Sequence, residues 1–310
     1  MSVTAAALPM LLAEVSARSV TRLSPSFVRV EFGAAALADF GVDGPLFDQR
    51  LKLIFPVDGR LPSVAGADES WLGSWMQRPL AERGHMRTYT VRSVVGEGVD
   101  TRVVIDFVVH EDGLAGPGAA WALTAEAGDR LLMVAPRRGV PFGGIEWSPG
   151  LASSLLLVGD ESAVPAVAAI LSCLPDHAAG SVFLEVPDPD DFQDLAAPAG
   201  VRIAWSARGA EAVGTSLVPL VRRHVGLPAR SLADVEVDPE LWETQTWSSS
   251  GEALQDPDSP QQVGDDLYCW VAGESQMVTN LRRALVRELG LARSQVAFMG
   301  YWRRGVAMKS

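Results

Sequence analysis

Cysteine is scarce in this sequence. The two cysteines, Cys173 and Cys269, each lie inside an apolar run, which is typical of buried, reduced thiols. Two thiols cannot ligate an iron–sulfur cluster of the usual four-thiolate kind. The histidines, at positions 85, 110, 177 and 224, show no metal-ligand spacing. We therefore predict neither a cluster nor a metal site held by this chain.

Lysine is almost absent, because arginine supplies nearly all the positive charge and the only lysines are Lys52 and Lys309. A GC-rich genome would produce that bias without any functional cause. Lys52 nevertheless stands out, since it lies in an apolar, strand-like run and not in a tail. This isolation makes Lys52 a candidate functional residue.

Long apolar segments are also missing. No stretch of about 20 apolar residues is present, so the sequence predicts no membrane helix. The first residues lack the leading positive charge of a signal peptide, and we expect a cytoplasmic protein. The formal net charge of -12 repels phosphate backbones and anionic lipid, so we expect no nucleic-acid or membrane partner.

The length of 310 residues exceeds what one hydrophobic core usually serves, which predicts two domains. The first half reads as short strands rich in Val, Ile and Phe, at residues 27–32, 50–55, 86–95, 101–110 and 129–135. Val103, Ile105 and Phe107 alternate and share one face. Regularly spaced strands without long helices predict an antiparallel barrel.

The second half alternates apolar runs with amphipathic helices, which predicts a parallel sheet covered on both faces. Predicted strands cover residues 155–158, 181–186, 201–206, 267–272 and 295–299, and predicted helices cover 163–174, 215–225 and 275–289. Val278, Leu281, Leu285 and Leu289 form the apolar stripe of the last helix. Residues 228–266 have little periodicity and are predicted to form a long loop. Trp242 and Trp247 are expected to anchor this loop, the alternative being that they face a ligand.

Two glycine turns follow predicted parallel strands. Gly159-Asp160-Glu161-Ser162 follows the first strand of the second half, and Gly273-Glu274 follows a later one. Ligands of such sheets bind beyond the carboxyl ends of strands, against helix N-termini that attract phosphate. Two such turns predict a dinucleotide crevice. The alternative is that Asp160 is a helix N-cap and Glu161 a first-turn charge.

The segment Arg87-Thr88-Tyr89-Thr90 lies on a predicted strand, with Arg87 and Tyr89 on one face. Together with the two halves described above, it resembles the ferredoxin–NADP reductase superfamily. Further segments are similar to the siderophore-interacting proteins and occur in the same order: residues 52–56, 86–92, 159–166, 270–274 and 300–305. We therefore expect a two-domain α+β protein. Residues 1–148 would form a six-stranded antiparallel β-barrel that binds FAD, and residues 149–310 an α/β domain with a parallel sheet that binds NAD(P)H.

The resemblance implies roles for individual residues toward FAD. Tyr89 stacks on the isoalloxazine ring, Thr90 hydrogen-bonds near the flavin N5, and Arg87 pairs with the pyrophosphate. Further cofactor contacts are implied for Thr88, His110, Gly116, Gly118, Ala119 and Trp121. The family often has a small hydroxyl residue where this chain has Ala119, so backbone N–H groups around Gly118 would have to replace that contact.

The resemblance also implies the remaining site residues. Gly159, Asp160, Glu161, Ser162, Gly273 and Glu274 face the nicotinamide nucleotide. Tyr301 and Trp302 lie close to the flavin, where Trp302 joins Tyr89 and Thr90 as a catalytic residue, although packing at the end of a strand would equally place aromatics there. Lys52, Arg303 and Arg304 form a basic patch for an anionic ferric siderophore, the two arginines having solvated surface charge as their alternative.

These expectations describe an FAD-dependent ferric-siderophore reductase. Hydride passes from NAD(P)H to FAD, and single electrons then reduce Fe(III) to Fe(II). NADH, NADPH or a reduced ferredoxin remain possible donors. The carboxylates of Asp188, Asp190 and Asp191 favour NADH, and Arg208 could reverse that preference. The alternatives are a generic flavin-dependent reductase of a quinone, flavin or protein, and a non-enzymatic ferric-siderophore carrier. We expect a monomer.

Overall fold

The computed structural model describes residues 8–68, 70–110, 116–233, 242–243 and 266–305. It divides into two compact units, one running to Ile145 and the other beginning at Glu146. Within the described residues, no helix has the length and apolar composition that crossing a membrane requires.

The first unit is built on one antiparallel sheet of seven strands, in the order β4-β3-β7-β1-β2-β6-β5. The strands are β1 (Leu11–Ser24), β2 (Phe27–Gly33), β3 (Arg50–Phe55), β4 (His85–Thr90), β5 (Ser93–Val95), β6 (Arg102–Val108) and β7 (Arg130–Ala135). The predicted antiparallel barrel domain is confirmed, with seven strands in place of six. One of the seven, β1, has no counterpart among the predicted strands.

The predicted strand at residues 86–95 is in fact two strands, and the break between them curls the sheet. Val91 N–H still donates to Gln49 O beside β3 (2.8 Å), whereas Arg92 N–H donates to Val104 O of β6 (2.9 Å). Because β4 and β5 are the two edges of the sheet, this short connection brings the edges together. The sheet therefore closes on itself at this point.

The interior of the first unit is apolar, and the predicted alternation on β6 is confirmed, since Val103, Ile105 and Phe107 are all fully buried. A second cluster, which includes Ile54 and Trp75, lies on the outer side of the sheet. Three short helices among the described residues of this unit have no counterpart in the sequence-based prediction: α1 (Trp71–Gln77), α2 (Leu80–Arg83) and α3 (Pro117–Thr124).

The second unit contains a six-stranded sheet in the order β10-β9-β8-β12-β13-β11. Five strands are parallel, as predicted: β8 (Ser154–Gly159), β9 (Ala179–Val186), β10 (Gly200–Ala207), β12 (Leu267–Glu274) and β13 (Val296–Trp302). The two-residue strand β11 (Trp242–Glu243) pairs antiparallel with β13. The strand order reverses between β8 and β12, and dinucleotides bind beyond the carboxyl ends of strands at such a switch point.

In the described part of this unit, three helices accompany the sheet at the positions that the sequence predicts: α4 (Val164–Cys173), α5 (Leu217–His224) and α6 (Ser275–Arg282). The last predicted helix continues past α6 as a π-helical segment, Arg283–Glu288. Val278, Leu281 and Leu285 of its predicted stripe are fully buried. Of the long loop predicted at residues 228–266, Trp247 lies outside the described residues.

Asp106 of β6 forms the main buried ion pair of the first unit. Its two carboxylate oxygens accept hydrogen bonds from Arg29 Nε (2.7 Å) and Nη2 (2.7 Å) on the neighbouring strand β2. Arg92 Nε lies 3.8 Å away, and only 1% of the Asp106 side chain is exposed against 32% for Arg29. The pair therefore lies in a partly desolvated environment, in which charge-assisted bonds contribute measurably.

We expect Asp106→Asn to lower the free energy of unfolding by about 2 kcal/mol, because the substitution leaves two arginines without their carboxylate. Glu31→Gln is the matched control. It breaks an exposed pair on the same strands, Arg102 Nη1 to Glu31 Oε2 (2.8 Å), and should cost no more than about 1 kcal/mol. Urea unfolding of the full chain measures the loss in free energy of unfolding for both variants. Equal losses would contradict the greater contribution assigned to the buried Arg29–Asp106 pair.

Candidate functional site

Tyr89 lies within a cluster of aromatic side chains inside the first unit. Its ring centroid is 4.6 Å from that of Phe107 and 6.0 Å from that of Phe55. The ring centroid of Trp121, on α3, lies within 5.8 Å of the ring centroids of Phe32, Phe55 and Phe107. We call these five residues the aromatic cluster. Burial raises the pKa of the Tyr89 hydroxyl, which stays protonated, while nearby Arg87 opposes that shift.

The start of α3 approaches Tyr89 because Gly118 has no side chain. A Cβ at position 118 would overlap the Tyr89 hydroxyl oxygen and lie 3.1 Å from Phe55 Cζ. Pro117 occupies the first helical position, where its fixed φ and missing N–H suit a helix start. The first-turn N–H groups of a helix have no partner within the helix, so they can bind phosphate oxygens.

Arg87 faces the same side of β4 as Tyr89. Its half-buried guanidinium donates to Met86 O (2.7 Å), and no carboxylate forms an ion pair with it among the described residues. Desolvation by burial lowers the pKa of Arg87. A half-buried cation without an anionic partner is unfavourable by itself and fits a phosphate group. Arg87, the aromatic cluster and α3 therefore fit FAD.

Lys52 and Thr88 meet on the opposite, outer face of the sheet. Lys52 Nζ donates to Thr88 Oγ1 (3.1 Å), and the two residues are paired in the register of β3 and β4. Although Lys52 reaches solvent, desolvation by neighbouring atoms lowers its pKa, and Arg50 lowers it further. Thr90 shares this outer face but is buried, and His110 is half-buried just after β6. Tyr89 and Lys52 thus lie on different faces of the same strands.

In the second unit, Asp160 joins the carboxyl ends of β8 and β12. Its Oδ1 accepts from Ser162 N (2.9 Å) and Ser162 Oγ (2.5 Å). Its Oδ2 accepts from Glu274 N (2.7 Å) and from Trp302 Nε1 (2.9 Å). Both predicted glycine turns therefore meet at this one carboxylate, at the switch point of the sheet.

The surroundings of Asp160 affect both its backbone neighbours and its ionisation. Gly273 has φ +140, and a Cβ there would lie 2.7 Å from Asp160 Cγ, so glycine is required on both counts. Burial of the Asp160 carboxyl and the charge of Glu161 raise its pKa to about 7, against the opposing effect of the hydrogen bonds that it accepts. Asp160 is also the N-cap of the short 3₁₀ turn at residues 161–163, because its side chain accepts from Ser162 N–H. The N-cap alternative thus describes one part of what this carboxylate does.

Glu161 forms a buried, two-pronged ion pair with Arg208. Its two carboxylate oxygens accept from Arg208 Nη1 (2.5 Å) and Nη2 (2.6 Å), and the side chains are 1% and 8% exposed. Arg208 N–H also donates to Val186 O, which ends β9 (3.0 Å). In the adjacent loop, Asp188 and Asp191 cap a short helical turn, whereas Asp190 is exposed.

The last strand directs its two terminal aromatics to different partners. Tyr301 stacks on Trp242 (5.9 Å between ring centroids, 24°) and contacts Trp270 edge-on, so the predicted anchoring role of Trp242 has a visible basis. Trp302 instead reaches Asp160. Arg303 is half-buried, and Arg304 is exposed with its N–H 3.4 Å from Glu274 Oε1.

The two halves of the chain match two family models. Residues 16–140 match the siderophore-interacting FAD-binding domain, and residues 152–305 match the siderophore-interacting protein. The chain belongs to the siderophore-interacting protein family. This membership confirms the resemblance stated from the sequence, and it confirms FAD as the cofactor of the first domain.

Curated relatives extend over most of this siderophore-interacting protein. An uncharacterized protein of Mycobacterium tuberculosis is 35% identical over 290 residues, covering 91% of this chain and 87% of the relative. Ferric vibriobactin reductase of Vibrio cholerae is 32% identical over 219 residues, covering 71% of this chain and 65% of the relative. NADPH-dependent ferric-chelate reductase of Escherichia coli is 27% identical, covering 89% and 87%.

A solved structure agrees with the architecture. The crystal structure of a siderophore utilization protein from T. fusca superposes with a TM-score of 0.67 at 29% identity. The alignment covers 98% of this chain and 97% of that one. The predicted fold of an antiparallel barrel followed by a parallel sheet is therefore confirmed.

Phe55 and Phe107, whose rings contact Tyr89 in the aromatic cluster, were not predicted as site residues from the sequence. A single sequence does not distinguish an aromatic residue that lines a site from one in a core. Ser275 was also missed, although its hydroxyl donates to Trp302 O (2.9 Å) at the carboxyl edge of the second unit. Its signal was its position directly after the Gly273-Glu274 turn.

We expect Gly118→Ala to lower the free energy of unfolding by roughly 1–3 kcal/mol, because the added methyl group overlaps the Tyr89 hydroxyl. Adding Tyr89→Phe to that variant should restore part of the loss, since the hydroxyl is the nearest atom. Gly116→Ala is the matched control, with nothing within 4 Å of its Cβ. Chemical denaturation gives the free energy of unfolding of each variant. If Gly116→Ala costs as much as Gly118→Ala, the Gly118–Tyr89 contact has no special weight.

Proposed function

We propose that this chain is an FAD-dependent ferric-siderophore reductase, which takes electrons from NAD(P)H and releases iron as Fe(II). The proposal is carried by one observation. In a domain that belongs to the siderophore-interacting FAD-binding family, Arg87 has no carboxylate partner among the described residues, beside the aromatic cluster and the start of α3. The names of the Vibrio cholerae and Escherichia coli relatives, both ferric reductases, support it.

The residues of the first unit divide the work of holding FAD. Arg87 pairs with the pyrophosphate, and the N–H groups at the start of α3, around Gly116, Gly118 and Ala119, hold phosphate oxygens. Tyr89 presents its ring to the isoalloxazine, Trp121 supports it within the aromatic cluster, and Thr90 at the end of β4 is the proposed hydrogen-bond donor. Thr88 and His110 complete the proposed contacts. Bound FAD supplies hydride acceptance and single-electron donation.

The substrate is proposed to bind at basic side chains. Siderophores hold Fe(III) through hard oxygen donors, and reduction to Fe(II) weakens that binding. Ferric siderophores are often anionic, so a cation focused in a local patch attracts them despite the acidic chain. Lys52 is the proposed contact of the first unit, and Arg303 and Arg304 are those of the second.

NADH is the proposed donor. Glu161 engages both terminal nitrogens of Arg208, so this cation is already neutralised and is not offered to a 2′-phosphate. The exposed Asp190, in the loop after β9, repels such a phosphate. The Escherichia coli relative carries NADPH in its name, so the proposed preference for NADH rests on Glu161, Arg208 and Asp190 of this chain alone.

The decisive experiment is anaerobic reduction of a panel of ferric siderophores by the purified protein, with a ferrous chelator as a trap. We expect donor-dependent trapping of Fe(II) with at least one of them. A protein that oxidises NADH with quinones or free flavin, yet reduces no ferric siderophore, would be a generic flavin reductase. A protein that binds ferric siderophores but is colourless and takes up no FAD would be a carrier.

Lys52→Met should raise the KM for the ferric siderophore roughly tenfold, about 1.4 kcal/mol, because it removes the charge and keeps the aliphatic stem. Arg130→Met removes one charge from the opposite end of the neighbouring strand β7 and is the matched control. The rate of flavin reduction by NADH should be unchanged in both. An unaltered KM in Lys52→Met would remove Lys52 from the substrate patch.

Glu161→Gln should shift the preference from NADH toward NADPH by roughly tenfold, about 1.4 kcal/mol, because it frees the Arg208 guanidinium for a 2′-phosphate. Stopped-flow bleaching of the flavin with each donor gives the ratio. The double variant Glu161→Gln/Arg208→Gln should lose that shift. A shift that survives in the double variant would show that Arg208 does not cause it.

A further inference from the structure

A β-bulge near the end of β13 aims Trp302. In the pairing of β12 with β13, Gly273 lies opposite Gly300, but the next residue, Glu274, lies opposite Trp302. Tyr301 is therefore the extra residue of the bulge. Bulges re-aim side chains and are frequent next to active sites. Here Tyr301 turns to Trp242 and Trp270, and Trp302 is left at the carboxyl edge.

The indole of Trp302 spans the end of a neighbouring strand. Trp302 ends β13, and its Nε1 donates to Asp160 Oδ2 (2.9 Å), which directly follows β8. Because β12 lies between β8 and β13, the indole extends across the carboxyl end of β12. This is the switch point, where a bound dinucleotide lies in open parallel sheets. The indole is half-buried and thus still borders solvent there.

Several contacts fix this arrangement. The fully buried Asp160 carboxylate is held through Oδ1 by Ser162, while Glu274 N shares Oδ2 with the indole. Gly273 leaves the space that the carboxylate occupies, since a Cβ there would lie 2.7 Å from it. Ser275 Oγ holds the carbonyl of Trp302 (2.9 Å). Neither the indole nor its acceptor can turn alone without breaking hydrogen bonds.

We infer that Asp160 is a positioning residue, whose carboxylate holds the Trp302 indole as a fixed wall of the nicotinamide subsite. This inference rests on the proposed function, because it assigns the wall to donor oxidation. Hydride transfer requires reacting atoms aligned to within about 1 Å, and misplacement of that size can cost roughly a hundredfold in rate. A wall with a fixed orientation supplies such alignment to the nicotinamide ring.

Asp160→Asn removes the acceptor without changing the side-chain size. Ser162 donates to one carboxylate oxygen, and Glu274 N and Trp302 Nε1 both donate to the other. An amide has one oxygen and one NH₂ group, so one set of donors must face another donor in either orientation. Trp302→Phe removes the indole donor and keeps an aromatic ring. Trp147→Phe is the matched control, since Trp147 packs against Tyr268 near the amino end of β12.

Two readouts test the inference on the FAD-loaded full chain. Anaerobic stopped-flow should show a limiting rate of flavin reduction at least roughly tenfold lower in Asp160→Asn and in Trp302→Phe. The double variant should be no slower than Trp302→Phe, because Asp160 acts through the indole. FAD affinity and the Trp147→Phe rate should match those of the wild type. In ¹H–¹⁵N spectra, the indole signal that disappears in Trp302→Phe should shift and exchange faster with solvent in Asp160→Asn.

The opposite results are equally distinct. A wild-type rate in either single variant, or losses that multiply in the double variant, would overturn the inference. If Asp160→Asn does not fold, a Trp302 indole proton that exchanges freely in the wild type would overturn it instead. A wild-type protein that neither NADH nor NADPH reduces would refute the proposed function, while the indole signal would still test the contact.

Discussion

The candidate site of the second unit depends on the hydrogen bonds that the Asp160 carboxylate accepts. One buried group accepts from the 3₁₀ turn after β8, from the end of β12 and from the end of β13. A buried carboxylate is costly unless its oxygens are satisfied, so the surrounding chain must bring donors to it. Gly159 and Gly273 are glycines for this reason, since a side chain at either position would collide with Ala163 or with Asp160 itself.

In the first unit, the partly buried charged group of the candidate site is a cation, the Arg87 guanidinium. Arg87 is partly buried beside the aromatic cluster, and its pKa is lowered by that burial because the described residues supply no carboxylate to it. Gly118 lets the start of α3 approach Tyr89, so free backbone N–H groups adjoin the same cluster. The connection at Val91–Arg92 joins the two edges of the sheet. Each unit thus holds its polar groups through close backbone approaches that only glycine permits.

Much of the fold follows from local pattern, and the exceptions have physical causes. Buried strands such as β8 and β12 are continuous apolar runs, and helix α6 has a clear stripe, so both were predictable. Strand β1 was not, because small and polar residues such as Ala13, Ser16 and Ser19 interrupt its apolar positions and weaken the alternation. The division into β4 and β5 was hidden because residues that favour strands, Tyr89, Thr90 and Val91, continue into the turn without a Gly or Pro to mark it.

The candidate sites were predictable only in part. The Gly159 and Gly273 turns and the alternation of Arg87 with Tyr89 follow from spacing and from the family resemblance. The shared carboxylate, the bulge at Tyr301 and the Glu161–Arg208 pair depend on residues that are distant in sequence and meet only when the sheet forms. Arg208 illustrates this limit, because its sequence position alone left contact with a 2′-phosphate open, whereas its buried partner Glu161 opposes that contact.

The central claim is that the chain uses FAD to pass electrons from a nicotinamide to a ferric siderophore. The most direct test is a single turnover: the FAD-loaded protein is reduced anaerobically with one equivalent of NADH and then mixed with a ferric siderophore and a ferrous chelator. The account predicts that the flavin absorption returns as about two Fe(II) appear per flavin. The claim would be contradicted if the flavin stays reduced in the presence of every ferric siderophore, although oxygen or a quinone reoxidises it.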